Sequence, residues 1–287
     1  MSKNNIPIVV VHRGYKPYVK YSVNLSSKKN FVYVIGSKDL KFLEENNLNV
    51  RYVNIDDFAL KKEIIEFKNQ FINYSTYEED FAWYCFERIF IIEEFLNEKK
   101  IPKVFHIDSD NAVFVDINSI NFKKDTAYHI SQFQDNFNMN ASVHSGLLDL
   151  KFCNEYKKLF QDIYINKSKF ELIEQKYQYH LQNNLKGGVI DMTLYYLLYN
   201  LNLVDVQNLM KPIEDKAGFK NIFINNINLA EGFQSLNNFE MKKKLIKIYN
   251  KKYVKDIVSD EFLTLASMHF QGTAKKYLNY LSQFKFH

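Results

Sequence analysis

Two carboxylates sit two positions apart in the stretch Val104-Phe105-His106-Ile107-Asp108-Ser109-Asp110, directly after an apolar run. On a turn, carboxylates at that spacing can hold a hard divalent cation, directly and through its water shell. A cation held there neutralises a diphosphate and stabilises the oxygen that departs when a bond to that diphosphate breaks. A bare Asp-X-Asp triplet is a common solvated turn or helix cap, so its weight comes from context. Here an apolar strand precedes it, a second follows it, and Arg88 stands on an upstream helix.

Far along the chain, Ser267-Met268-His269-Phe270-Gln271-Gly272 comes just before Lys275 and Lys276. Alone, His269 reads as a part-buried histidine near a turn at Gly272. Joined to the acidic motif it becomes a ligand, and an imidazole beside two carboxylates suits Mn²⁺ better than Mg²⁺. Asp110 and His269 are the expected direct ligands, with Asp108 serving a metal-bound water or a ribose. Lys275 would meet diphosphate oxygens, and Gly272 would let backbone approach them closely.

These side chains need elements to place them. Residues 6–11 are a largely β-branched apolar run and read as a buried parallel strand; 31–35 and 50–55 read as two more, with a helix over 19–25. Strand, helix, strand, helix, strand is a doubly wound opening. The longest helix is expected over 80–97, where Phe81, Tyr84, Cys85, Arg88, Ile89, Ile92 and Phe95 recur at helical spacing. A charge at Arg88, beside that stripe, needs a phosphate or carboxylate partner unless the side chain snorkels to solvent. Residues 103–107, 111–115 and 127–131 read as further strands. That puts Asp108 and Asp110 at the carboxyl end of a central strand, where open α/β sheets collect ligands. Beyond 147 the pattern reads as helical over 147–160, 170–182 and 189–199.

Bulk properties narrow the class. A chain of 287 residues buries enough surface to form one catalytic unit without staples. Its two cysteines, Cys85 and Cys153, lie in helical patterns and read as small core residues of a reducing compartment. The first apolar run is too short for a signal or membrane segment, so the expected location is cytoplasmic, with peripheral attachment to the inner membrane face allowed. A net charge of +5 spread along the chain suits an anionic substrate or a membrane surface and does not call for nucleic acid.

The segments Phe105 to Asp110, His269-Phe270-Gln271-Gly272 and Lys275 resemble the GT-A glycosyltransferases, in which a strand-borne Asp-X-Asp and a C-terminal histidine together hold a metal and a nucleotide-sugar diphosphate. The ending is similar to the His-(Tyr/Phe)-X-Gly…Lys-Pro-Trp element of glycogenin-like and lipopolysaccharide galactosyltransferases, with Lys276-Tyr277 in place of Pro-Trp. His144-Ser145-Gly146-Leu147-Leu148 and Gly187-Gly188-Val189-Ile190-Asp191-Met192-Thr193 look like bacterial surface-glycan transferases.

The resemblance implies an α/β GT-A fold over 1–287: a Rossmann-like, mostly parallel central sheet flanked by helices, with a helix-rich C-terminal half. Residues 1–117 would be the nucleotide-binding half and 118–287 the acceptor side. It implies Mn²⁺ or Mg²⁺, a nucleotide-sugar donor (a UDP-sugar first) and a glycan or glycolipid acceptor. Val11, His12, Arg13 and Tyr15 would meet base and ribose. Asp56 or Asp57 would accept from uracil or ribose hydroxyls, or else cap a helix. Ser145 and Gly146, read as opening a helix, would face donor-sugar hydroxyls. Asp191, in the first turn of a helix, is the leading catalytic carboxylate: general base in an inverting enzyme, or partner to the anomeric centre in a retaining one. Two other readings compete. A sugar-nucleotide nucleotidyltransferase would need a Gly-rich basic loop that His12-Arg13-Gly14-Tyr15 does not supply, and a non-catalytic carbohydrate-binding protein would lack metal-dependent nucleotide affinity.

Overall fold

In the computed structural model, the described residues are 5–45, 47–131, 137–217, 220–224, 233–234, 253–256 and 262–283. The first half alternates strands β1 (Ile8–His12), β2 (Val32–Gly36), β3 (Val50–Asn54) and β4 (Lys103–Ile107) with helices α1 (Pro17–Ser26), α2 (Phe42–Glu45), α3 (Asp56–Ala59), α4 (Lys62–Gln70) and α5 (Glu79–Lys99). Then come β5 (Asn111–Val113), β6 (Thr126–Ile130), β7 (Ala141–Asp149), α6 (Leu150–Phe160), α7 (Glu171–Gln182), α8 (Asp191–Asn200) and β8 (Val206–Asn208). The chain ends with β9 (Ile213–Glu214), β10 (Lys220–Ile224), β11 (Phe233–Gln234), β12 (Tyr253–Asp256), β13 (Phe262–His269) and α9 (Lys276–Gln283).

Seven strands form the central sheet in the order β3-β2-β1-β4-β7-β6-β8. The pairings β1 to β2, β2 to β3, β1 to β4 and β6 to β8 are parallel, while β7 runs antiparallel to both its neighbours. The expected mostly parallel α/β sheet is therefore present. Its order turns back between β1 and β4, and the crevice outside the carboxyl ends of those strands is where such sheets bind ligands. The sequence places His12 at one lip of the crevice and Asp108 at the other.

Ile8 to Val11 are all buried because helices cover both faces of the sheet. One core joins α3 to α6 and α8 to one face, with Trp83, Phe86, Phe90, Phe160 and Tyr164 at its centre. A second lies under α1 on the other face. Helix α1 opens on Pro17, whose missing N–H costs nothing at a first turn. Helix α5 stops where Lys100 turns left-handed at φ 53°.

Two expectations change here. Residues 144–149 belong to β7 rather than to a helix. Val143 through Leu148 are buried, so the strand shows no alternation and its Leu-Leu pair is indistinguishable by period from a buried helix segment. Helix α6 begins only after Asp149, whose carboxylate caps it by accepting from Phe152 N at 2.9 Å. The second half also holds a second sheet, ordered β11-β12-β13-β10-β9, alongside its helices. Strand β5 pairs antiparallel with β13, matching His269 with Asn111. That pairing carries the distant histidine to the acidic turn. Among the described residues no helix is long and apolar enough to cross a membrane.

Candidate active site

The acidic turn is built by hydrogen bonds to three other segments. Asp108 N donates to His144 O at 2.9 Å, and Asn111 N donates to Asp108 O at 2.9 Å, closing the turn. Asn111 sends its side-chain amide to His144 O at 2.8 Å and to Ser145 Oγ, tying β5 to β7, while Ser22 of α1 donates to Asn111 O. Phe270 N donates to Asp110 O at 2.8 Å, so the end of β13 is latched directly to the motif.

The result brings Asp108, Asp110 and His269 together, with one donor atom of each within 4.8 Å of the others. Ligands about 2.1 Å from an ion lie about 3 Å apart when adjacent and about 4.2 Å apart when opposite, so this spacing fits a divalent cation. Two carboxylates and an imidazole also fit the chemistry of a borderline metal. His269 Nε2 lies 3.1 Å from Asp110 Oδ1, and Lys275 Nζ lies 3.1 Å from Asp110 Oδ2. Both Asp110 and His269 are about 8% exposed, so the contacts are poorly screened. Burial alone would raise the Asp110 pKa, but His269 and Lys275 outweigh it and hold the carboxyl down to about 2. Burial would likewise lower His269, yet the Asp110 carboxylate lifts it above its ordinary value. The Lys275 ammonium also lies 4.6 Å from the Tyr18 ring centroid, which keeps its stem over α1.

A second charged cluster borders the first. Arg88 on α5 donates from one nitrogen to Asp108 Oδ1 at 2.6 Å and from the other to Asp191 Oδ2 at 2.5 Å. Asp191 opens α8 as expected and is only 2% exposed. It also accepts from Tyr195 Oη at 2.9 Å and from Met192 N at 2.9 Å. Its approach depends on the two glycines before it. Gly187 and Gly188 hold φ of 101° and 105°, and their strand-like bridge to residues 74–76 aims α8 at the cavity.

These groups line one cavity of about 370 Å³, together with Val11, His12, Tyr18, Phe81, Tyr84, Cys85, Ser109, Ser142, His144, Met192, Gln271 and Lys275. Burial lowers the His12 pKa, so its ring is neutral beside the cations. Burial and the neighbouring Asp191 push the Cys85 thiol far up, which makes it unreactive wall material. Tyr84 donates to Val11 O at 2.8 Å, pinning α5 to the end of β1.

Of the residues singled out in the sequence, Val11, His12, Arg88, Asp108, Ser109, Asp110, Asp191, His269 and Lys275 meet in this cavity. Arg13 and Asp56 do not. They line a neighbouring cavity of about 430 Å³ with Lys68, Asp80, Trp83 and Glu87, and Arg13 pairs with Glu87 at 2.9 Å. Tyr15 is 42% exposed, packs edge-on against Phe42, and has its backbone N–H engaged by Asp39 at 2.6 Å. Ser145 and Gly146 do not open a helix. Ser145 is buried between β7 and β13, 3.1 Å from Ser267 Oγ, and Gly146 lies where a Cβ would come within 3.1 Å of Ala127 O. Gly272 starts an exposed turn with φ 61°, and Gln271 and Lys275 flank it at the cavity.

Sequence reasoning missed Tyr18, Ser142, Tyr195 and Gln271. Only Tyr195 left a signal, standing four positions after Asp191 on one helical face. The others arrive on α1, on β7 and just after β13, segments that only the fold brings together.

Neither a scan against family models nor a search of curated proteins gives a match. Solved structures that align include the PaToxG glycosyltransferase, at 13% identity and TM-score 0.42, covering 69% of this chain and 70% of that one. The glycosyltransferase GlyE of Streptococcus pneumoniae TIGR4 aligns at 15% identity and TM-score 0.36 over 72% of this chain, which spans only 46% of GlyE. A glycosyltransferase involved in glycosylation of the major capsid of PBCV-1 aligns at 11% identity and TM-score 0.34, covering 71% and 82% of the two chains.

Proposed function

We propose that this protein is a metal-dependent glycosyltransferase that moves a sugar from a nucleoside-diphosphate donor, a UDP-sugar in the first instance, to a hydroxyl of a glycan or glycolipid acceptor of a surface polysaccharide. The observation that carries the reading is the convergence of Asp108, Asp110 and His269, from two distant segments, at the crevice of the sheet, with Lys275 and the Arg88–Asp191 pair around the same cavity. Asp108, Asp110 and His269 would hold Mn²⁺ or Mg²⁺, which when bound supplies charge neutralisation for the diphosphate.

The protein's own groups divide the remaining work. Lys275 exchanges its contact with Asp110 for a diphosphate oxygen, adding positive charge where the leaving group develops negative charge. His12 and Tyr18 form the wall on which the nucleoside lies, and residues 1–117 supply that side. Ser142, His144 and Met192 border the space beside Asp191 where the transferred sugar sits. The bond from the anomeric carbon to the departing diphosphate oxygen breaks as the acceptor oxygen bonds that carbon, and the acceptor proton must leave.

Asp191 lines the cavity and would meet the anomeric centre, but it is poorly prepared to take that proton. Both its oxygens already accept hydrogen bonds, Oδ1 from Met192 N and Oδ2 from Arg88 and Tyr195 Oη, so neither stands open to an acceptor hydroxyl. This supports a role stabilising positive charge at the sugar, with the proton passing to the departing diphosphate oxygen, over general-base catalysis.

Screening UDP-, GDP- and CMP-sugars for hydrolysis with and without Mn²⁺ tests the reading. Hydrolysis should require the metal and fall at least about 100-fold in Asp110→Ala and in His269→Ala, the scale of losing a main electrostatic stabiliser. Full activity in a chelator would sink it.

A further inference from the structure

Behind His269 stands a column of imidazoles. The His144 ring lies 4.6 Å from the His269 ring, centroid to centroid, with planes 21° apart, and the His129 ring lies 4.7 Å beyond His144 at 25°. The three residues come from β13, β7 and β6, and all three are buried. Ser142 Oγ lies 2.7 Å from His144 Nδ1, a contact that resists rotation of the middle ring about its Cβ–Cγ bond.

We propose that His144 is a positioning residue for the metal ligand His269, setting the plane of its ring by stacking. The proposal rests on the metal-binding reading of Asp108, Asp110 and His269. An imidazole donates through a lone pair that lies in the ring plane, so a ligand histidine must be held at the correct tilt as well as at the correct position. Ligand histidines are commonly oriented by a hydrogen bond to the second ring nitrogen. In this chain the flat face of His144 defines the tilt, and the contact of His269 with Asp110 defines the direction of Nε2. His129 and Ser142 in turn hold His144 from its far face and its edge. The column begins in the central sheet and ends in the second one, so it also sets the distance between the two sheets at the ligand.

Two substitutions separate shape from stacking. His144→Phe keeps a flat ring with no ring nitrogen, and His144→Leu fills similar space without a plane. Mn²⁺ alone is the probe. Its dissociation constant is read by electron paramagnetic resonance of free Mn²⁺, and the ¹⁵N resonances of the His269 ring are read in the metal-free, histidine-labelled protein. His144→Phe should stay within about 3-fold of the wild-type constant, and His144→Leu should weaken it by about 10-fold or more, the usual loss when a ligand's supporting contact is removed. The His269 resonances should broaden or split in His144→Leu only. Equal affinity in His144→Leu and wild type, with unchanged His269 resonances, overturns the proposal. So does an equal loss in both variants, because His144 would then act through its nitrogens. If His144→Leu does not fold, as judged by circular dichroism, His144→Phe decides alone: retained affinity supports a stacking role and lost affinity overturns it. Failure of the wild type to bind Mn²⁺ is a different result, one that removes the metal reading itself.

Discussion

Arg88 and Asp191 meet at 2.5 Å although their side chains are only 15% and 2% exposed, and the same guanidinium reaches Asp108 at 2.6 Å. One side chain from the longest helix thus bridges the acidic turn to the start of α8. Removing it leaves Asp191 buried without its cation, which typically costs about 3–5 kcal/mol. Arg88→Ala should lower the urea midpoint by a corresponding amount. Arg88→Lys keeps the charge but loses the fork that spans two carboxylates, so its midpoint should fall between those of wild type and Arg88→Ala. An Arg88→Ala protein as stable as wild type would mean that the bridge is solvated.

The Asp110–His269 pair makes stability and metal binding depend on pH in opposite ways. His269 is raised above 6.5, so in metal-free protein its contribution is complete below pH 6.5 and is lost as pH rises through the raised value. Asp110 is lowered from 3.8 to about 2, so its contribution is complete above pH 3.8 and is lost as pH falls toward 2. Thermal melts in a chelator should therefore show the pair at full strength between about pH 4 and 6.5, and His269→Asn should flatten that window. Mn²⁺ needs the imidazole deprotonated, so its affinity should rise with pH through the His269 transition, with proton release seen by calorimetry in two buffers.

Gly188 and Gly187 precede Asp191 with similar φ but different surroundings. A Cβ on Gly188 would lie 2.7 Å from Tyr74 O, whereas one on Gly187 would meet nothing nearer than His180 Cε1 at 3.8 Å. Both alanine variants should carry a left-handed strain of about 1–3 kcal/mol. Only Gly188→Ala should also displace α8, and its turnover should fall further than that of Gly187→Ala at matched folded fraction. Equal turnover in the two would mean that the bridge to residues 74–76 does not aim Asp191.

Phe160 stacks on Tyr164 with ring centroids 4.7 Å apart, packs against Phe90 and Phe86 at centroid distances of 5.1 and 5.6 Å, and does not line the cavity. Phe160→Ala should cost about 3–5 kcal/mol of stability through the void it leaves. Mn²⁺ affinity of the folded fraction should be unchanged. A change in that affinity would show that this core is coupled to the ligands.

The alternating first half was readable because its strands are short β-branched runs that end in turns, and α5 because its apolar stripe is long. Buried β7 was not, since a strand covered on both faces loses its period-two signature and Leu147-Leu148 imitates a helix. Arg13 and Tyr15 illustrate a different limit. Their place in the β1 loop was legible, but which way each turns was settled by Glu87 on α5 and by Phe42 on α2.

The sequence by itself determined the opening motif: an apolar strand must deliver Asp108 and Asp110 to its carboxyl end, because strand period and turn chemistry are local. It also marked His269 and Asp191 by their residue types and neighbours. Only the tertiary structure decided that β13 pairs with β5 and sets His269 beside Asp110, that Arg88 spans Asp108 and Asp191, and that His129 and His144 stack behind the ligand. Those are contacts between residues up to 159 positions apart. No local pattern encodes them, because their energy comes from burying distant segments against one another.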